Sequence, residues 1–143
     1  EIIEHENTEI ILPLHPRTYN KLTEELHQSL WDKINHNEGL HIIDPVSFLD
    51  MIQLEKHARI IMTDSGGVQK EAYFFNKPCI VLRPETEWTE LLETGKTILA
   101  DANKEYILSA YNQLKHENNI QFPEIFGNGK AAEFIAKIIL KNN

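Results

Sequence analysis

The chain has 143 residues, 41% of them hydrophobic and 25% charged, with 14 Lys+Arg against 22 Asp+Glu and a formal charge of −8. That length suits one domain able to bury roughly two-thirds of its unfolded surface, and the apolar share excludes disorder as a class. No run approaches the roughly 20 apolar residues of a membrane helix, the acidic balance excludes a broad basic grip on nucleic acid, and the single cysteine, Cys79, excludes an internal disulfide.

The N-terminal Glu1-Ile2-Ile3-Glu4-His5-Glu6 has neither an initiating Met nor a signal-peptide pattern, as expected of a processed or truncated chain. Ile10 to Leu14 reads as a buried strand, and Leu22, Leu26, Leu30 and Ile34 mark one helix from Tyr19 to Ile34 on which Trp31 packs. Leu40 to Ile43 is a second strand, closed by Asp44-Pro45. Ser47 with Asp50 three residues on resembles a capping box and opens a helix to about His57. Arg59 to Thr63 is a third strand, followed by Asp64-Ser65-Gly66-Gly67 and a helix from Val68 to Phe75. Cys79 to Leu82 is a fourth strand. A short helix from Thr89 to Thr94 stops at Gly95, the expected helix-ending glycine, before a fifth strand from Thr97 to Leu99. Helices from about Lys104 to Glu117 and from Lys130 to Lys141 complete the chain.

No linker, charge block or internal repeat divides residues 1–143, so a single domain is expected. Short apolar strands alternating with helices predict βαβ units: a Rossmann-like, doubly wound parallel sheet in a three-layer α/β/α arrangement. Ligands of such sheets bind at the carboxyl ends of the strands, which makes the residues leaving each strand the ones to inspect.

Three strand exits carry polar chemistry. In the third, Ser65-Gly66-Gly67 runs straight into a helix, so the backbone can approach a ligand closely and unpaired N–H groups can meet an anion, with the Ser65 hydroxyl beside them. Glu71, about a turn further on, can accept from vicinal hydroxyls such as those of a ribose. Equally, the glycines make only a tight turn and Glu71 is a solvated helix residue. In the fourth exit, Arg83 at the sheet's mouth suits phosphate, or pairs with Glu85 or Glu87 at the surface. In the first, His15 and Arg17 offer cationic or switchable donors, although a lone histidine is more often structural.

Other signals fail on inspection. Gly95-Lys96-Thr97 resembles the tail of a phosphate-binding loop, but the required glycine falls on Glu90. The 7 histidines show no paired zinc-ligand spacing, no metal is expected, and Cys79 reads as an inert core residue.

Taken together, these segments resemble the UDP-N-acetylglucosamine 2-epimerase family, built on the two-lobed glycosyltransferase-B plan. The resemblance rests on Pro13-Leu14-His15-Pro16-Arg17-Thr18 and, most specifically, on Thr63-Asp64-Ser65-Gly66-Gly67-Val68-Gln69-Lys70-Glu71-Ala72. Lys77 to Arg83, Thr86-Glu87, Glu93-Thr94-Gly95 and Phe126 to Ala132 support it in the same order. It implies the carboxyl-terminal, UDP-binding lobe of an enzyme that interconverts UDP-GlcNAc and UDP-ManNAc without a cofactor. Ser65, Gly66 and Gly67 would contact the diphosphate, Glu71 the ribose, and Arg83 the nucleotide or its surroundings, with His15 lining the cleft.

The acid/base carboxylates and sugar pocket would come mainly from an amino-terminal lobe that these residues do not include, so the chain alone is expected to be inactive. The implied partners are the UDP-sugar and that lobe, with no nucleic acid or membrane. The implied location is cytoplasmic, with room for a homodimeric parent. A glycosyltransferase lobe of the same plan, or a non-catalytic nucleotide-sugar-binding domain, is the alternative. Lys70 stands where many members carry a second acid, a surface change that puts nothing central in doubt. Trp88 follows Thr86-Glu87 where many members have Arg-Pro, which points to a subgroup and leaves the sugar open.

Overall fold

A computed structural model describes residues 1–116 and 122–141. Chain contacts group it into two compact units, Glu1–Leu54 and the residues from Glu55 onward.

In the first unit, helix α1 (Ile2–Glu6) ends on Asn7 in the left-handed conformation and leads into strand β1 (Ile10–Pro13). β1 pairs in parallel with β2 (Leu40–Ile43), Ile10 opposite Leu40 through Pro13 opposite Ile43. The helix expected between them is two helices, α2 (Pro16–Glu25) and α3 (Gln28–Asn35). A strict four-residue repeat drifts about 40° per step around a 3.6-residue turn, so one straight helix would spread Leu22, Leu26, Leu30 and Ile34 across about 120°. The chain instead goes extended at Leu26 and His27, and His27 caps α3 by accepting from the Ser29 N–H. Trp31 on α3 meets Tyr19 on α2 edge to face, with ring centres 5.5 Å apart. Half of the expected capping box forms at the start of α4 (Phe48–His57): Ser47 Oγ accepts from the Asp50 N–H at 3.3 Å, while Asp50 Oδ2 takes the Ser47 hydroxyl at 2.6 Å rather than the Ser47 backbone N–H.

The second unit is built on three parallel strands in the order β3 (Ile61–Thr63), β4 (Cys79–Val81), β5 (Thr97–Leu99), with Ile61, Cys79 and Thr97 in register. Helix α5 (Gly66–Phe74) connects β3 to β4, and α6 (Thr89–Glu93) connects β4 to β5. Cys79, Ile80 and Val81 are fully buried, which explains why a central strand can be apolar at every position rather than at alternate ones. Ile61, Ala72, Cys79 and Val81 form the centre of the core, with Ala58, Val68 and Leu99 packed against it. Complete burial of side chains such as Ile80 and Val81 contributes roughly 1.5–3 kcal/mol each. Gly95 follows α6 with φ 69°, the left-handed stop its position predicts.

Helix α7 (Lys104–Leu114) stops short of the expected Glu117, which lies outside the described residues, and α8 (Ala131–Lys141) closes the chain. The expected α/β class with parallel strands is present, its ladders forming a two-stranded and a three-stranded sheet. Among the described residues no helix is long and apolar enough to cross a membrane.

Candidate functional site

The carboxyl ends of β3 and β4 deliver the most informative cluster. Beyond Thr63 the chain turns sharply: the Ser65 N–H donates to Thr63 Oγ1 at 3.0 Å. Ser65 is then the N-cap of α5, its Oγ accepting from the Val68 N–H at 3.5 Å and its carbonyl from the Gln69 N–H at 3.2 Å. Among the described residues the Gly66 and Gly67 N–H groups have no acceptor. Two adjacent donors therefore stand open at the positive end of a helix dipole, beside an exposed hydroxyl, an arrangement suited to an anion.

The loop after β4 closes on this turn. Trp88 Nε1 donates to the Gly66 carbonyl at 2.9 Å, and Thr86 links the backbone N–H of Trp88 to the buried amide of Gln69. A Cβ on Gly66 would land on the Glu87 carboxylate, the far end of a partly exposed side chain, which would have to swing aside. A Cβ on Gly67 would touch only Ser65 Oγ at 3.8 Å. Of the two pairings open to Arg83, the structure makes the one with Glu87: Nη1 donates to Oε2 at 3.2 Å, with both side chains partly exposed. Arg83 thus offsets a carboxylate beside an anion-seeking helix end.

Glu71 is half-buried on α5, and it faces a group that local sequence patterns did not flag. Glu55 on α4 is only 2% exposed, and among the described residues neither carboxyl oxygen meets an N–H or O–H of fixed position. Its side chain contacts Glu71. Burial first, then the charge of Glu71 and the hydrogen bond to it, push the Glu55 carboxyl up from 4.5 to about 7. Two carboxyl groups in hydrogen-bond contact need a proton between them, which reconciles the missing fixed donor with that hydrogen bond. The available signal was periodicity: Glu55 occupies the helical stripe begun by Met51 and Ile52 and continued by Ala58. Beneath it the Cys79 thiol is pushed up to about 12, first by burial and then by the charge of Glu55, which fits an inert core cysteine.

His15 belongs to the first unit, where it is exposed and caps α2. Its Nδ1 accepts from the Arg17 N–H at 3.2 Å, so in the neutral ring the proton sits on Nε2. That unit also contains a groove of 590 Å³, between Leu14 and Tyr19 on one side and Ile42 to Asp44 on the other, which none of the predicted site residues line. Among the described residues, no group of His, Cys, Asp and Glu is arranged to hold a metal.

Parallel strands whose carboxyl ends run into an open helix start define the class: a Rossmann-like α/β protein of the kind that takes ligands at strand ends. A family model described as UDP-N-acetylglucosamine 2-epimerase matches residues 1–140, and the chain belongs to that family. The UDP-N-acetylglucosamine 2-epimerase of Methanocaldococcus jannaschii is 44% identical over 140 residues, 97% of this chain and 37% of that protein. The UDP-2,3-diacetamido-2,3-dideoxy-D-glucuronate 2-epimerase of Pseudomonas aeruginosa is 35% identical over 132 residues, 92% of this chain and 35% of that protein. The crystal structure of the M. jannaschii UDP-GlcNAc 2-epimerase in complex with UDP-GlcNAc and UDP matches with a TM-score of 0.80 at 42% identity, over 98% of this chain and 38% of that one. The chain thus spans little more than a third of the length of these relatives.

The two departures from the family pattern fall on one contact. Lys70 Nζ lies 4.2 Å from the centre of the Trp88 ring and 4.5 Å from that of Phe126. A lysine over an indole is a cation–π contact, worth roughly 0.5–1 kcal/mol at an exposed site. Tyr73 ties the same region down, donating to the Pro123 carbonyl at 2.7 Å and packing on Phe122 and Phe126.

Proposed function

We propose that the open start of α5 holds the diphosphate of a UDP-sugar. The Gly66 and Gly67 N–H groups and the Ser65 hydroxyl are the donors, and Glu71 accepts from the ribose hydroxyls. The observation that carries this reading is the pair of adjacent unpartnered N–H groups at a glycine-lined helix start, at the strand end where this fold class binds ligands. Family membership supplies the substrate class. The complete protein that contains these residues interconverts UDP-GlcNAc and UDP-ManNAc by inversion at C2 of the N-acetylhexosamine. A cytoplasmic location and a homodimeric assembly belong to the same reading.

The chemistry assigns this region a defined share of the work. Loss of UDP from the sugar builds negative charge on the departing diphosphate, and N–H groups already pointing at that charge stabilise it without reorganising. Moving the proton at C2 requires separate acid/base groups in the same closed cleft, and these are expected outside residues 1–143. The matched M. jannaschii structure, described as a complex with UDP-GlcNAc and UDP, supports the choice of ligand.

The Gly67→Ala variant separates binding from folding. Its methyl meets only Ser65 Oγ in the free protein, yet it would crowd a diphosphate drawn onto the neighbouring N–H groups. Titration of the complete protein with UDP should show an approximately tenfold weaker Kd in Gly67→Ala, with an unchanged melting temperature. Equal affinity would remove the diphosphate from this helix start. An acceptor-dependent glycosyl product in place of UDP-ManNAc would replace the epimerase reading with a transferase one.

A further inference from the structure

The contact between Glu55 and Glu71 gives the ribose-binding carboxylate a partner of its own. Two facts about it are independent of titration: Glu55 is buried, and among the described residues its oxygens meet no N–H or fixed O–H. The carboxyl whose charge and hydrogen bond act on it is the one assigned to the ribose. The titratable groups facing Glu55 across its contacts are Glu71 on α5 and the Cys79 thiol on β4. On its own helix the neighbouring Lys56 lies over the Phe75 ring, 5.3 Å from its centre. No salt bridge among the described residues includes Glu55 or Glu71. A carboxyl pair so placed is satisfied in one way: one member holds a proton and donates it to the other. The more buried member is the one for which charge costs more.

We propose that Glu55 is a positioning residue, its protonated carboxyl donating to one oxygen of Glu71 and leaving the other oxygen of that carboxylate to accept from the ribose diol. The inference rests on the assignment of Glu71 to the ribose. A carboxylate on the half-buried face of a helix has several rotamers of similar energy, and a hydrogen bond from behind selects one before the nucleotide arrives, lowering the ordering cost of binding. Deprotonation of Glu55 turns the donor into a second anion, so the selected rotamer is lost and UDP binding weakens as pH rises through the range in which Glu55 titrates.

The experiment titrates the complete protein with UDP and with 2′,3′-dideoxy-UDP, which lacks the diol, between about pH 6 and pH 8.5. It compares wild type with Glu55→Leu, Glu55→Gln and Glu71→Ala. Glu55→Leu should weaken UDP about tenfold at pH 6 and leave dideoxy-UDP unchanged, because only the ribose contact is lost. Glu55→Gln keeps a donor without a titrating proton. It should bind UDP as wild type does at pH 6 and hold that affinity to pH 8.5, where wild type weakens about tenfold. Glu55→Leu weakening both ligands alike would show a general packing role and overturn the proposal. So would Glu55→Leu binding UDP normally while Glu71→Ala loses it. If Glu71→Ala itself binds UDP as wild type does, the ribose assignment has failed, and the proposal falls with it for that separate reason.

Discussion

Helices α2 and α5 each begin just past the end of a parallel strand, and they treat their first turns in opposite ways. At α2, Pro16 has no N–H, the Arg17 N–H is taken by the His15 ring, and the Thr18 and Tyr19 N–H groups both reach the His15 carbonyl at 2.8 and 3.0 Å. Nothing in that turn is left for a ligand. At α5, the cap meets the Val68 and Gln69 N–H groups and leaves those of Gly66 and Gly67 open. Both helices carry the dipole of any helix, so the dipole does not distinguish them. What does is whether the local sequence consumes the donors: proline and an accepting side chain close a helix start, and consecutive glycines keep it open. The contrast extends to Glu55, a buried group that the fold also leaves without a fixed donor. Among the described residues the buried side-chain groups left unmet, on Glu55 and Gln69, gather around α5.

The largest test of that contrast concerns Glu55 and the stability of the protein. Its carboxyl is raised from 4.5 to about 7, so the native state retains a proton that the unfolded chain has already released. The stability linked to this proton is fully present below pH 4.5 and is lost as pH rises through about 7. The loss is on the order of 3 kcal/mol, at 1.36 kcal/mol per pKa unit. Chemical denaturation of wild type and Glu55→Gln across that range should give curves that diverge with rising pH, the variant becoming the more stable. Parallel curves would mean that Glu55 is already ionised in the native state, and the contrast between met and unmet groups would lose its strongest member.

The next test falls on the helix start itself. Gly66→Ala places a methyl where the Glu87 carboxylate lies, so that carboxylate must swing aside and its pairing with Arg83 is disturbed. Calorimetric titration with UDP should show affinity about 30-fold lower, close to 2 kcal/mol. Normal affinity would show that the Glu87 side chain swings away freely and that its close approach to Gly66 has no part in binding.

What the sequence disclosed follows the reach of each interaction. β2 and β5 have the expected bounds because Asp44-Pro45 ends one and Gly95 precedes the other, both local punctuation. β3 begins at Ile61 rather than Arg59, the Ile61 N–H donating to the Pro78 carbonyl, so the onset of its ladder is decided by a partner strand. The break at Leu26 was hidden because no Gly or Pro marks it, and because histidine is not among the residues usually read as helix caps. The same rule governs the site. Ser65-Gly66-Gly67 is a contiguous string whose geometry is local and legible. Glu55 beside Glu71, Trp88 on the Gly66 carbonyl and Lys70 over two rings each join segments far apart in the chain. Lys70 and Trp88 lie 18 positions apart in the chain, so only the fold shows that they form one contact.

The smallest effect is expected at the closed helix start, and it bears on His15, the predicted ligand residue that lies in the first unit. His15→Ala removes the acceptor of the Arg17 N–H and frees that donor at the start of α2. Loss of a side-chain cap costs about 0.5–1 kcal/mol in hosts at the weaker end of the range. Exposure places His15 there, because water can replace part of the lost bond. Thermal unfolding should therefore register a modest drop, and UDP affinity should stay within about twofold of wild type. A tenfold loss of affinity with unchanged stability would return His15 to the ligand and make the two strand exits alike in function. A stability loss alone would keep them distinct: at α2 the sequence uses its polar groups to finish a helix, and at α5 it withholds them for what binds there.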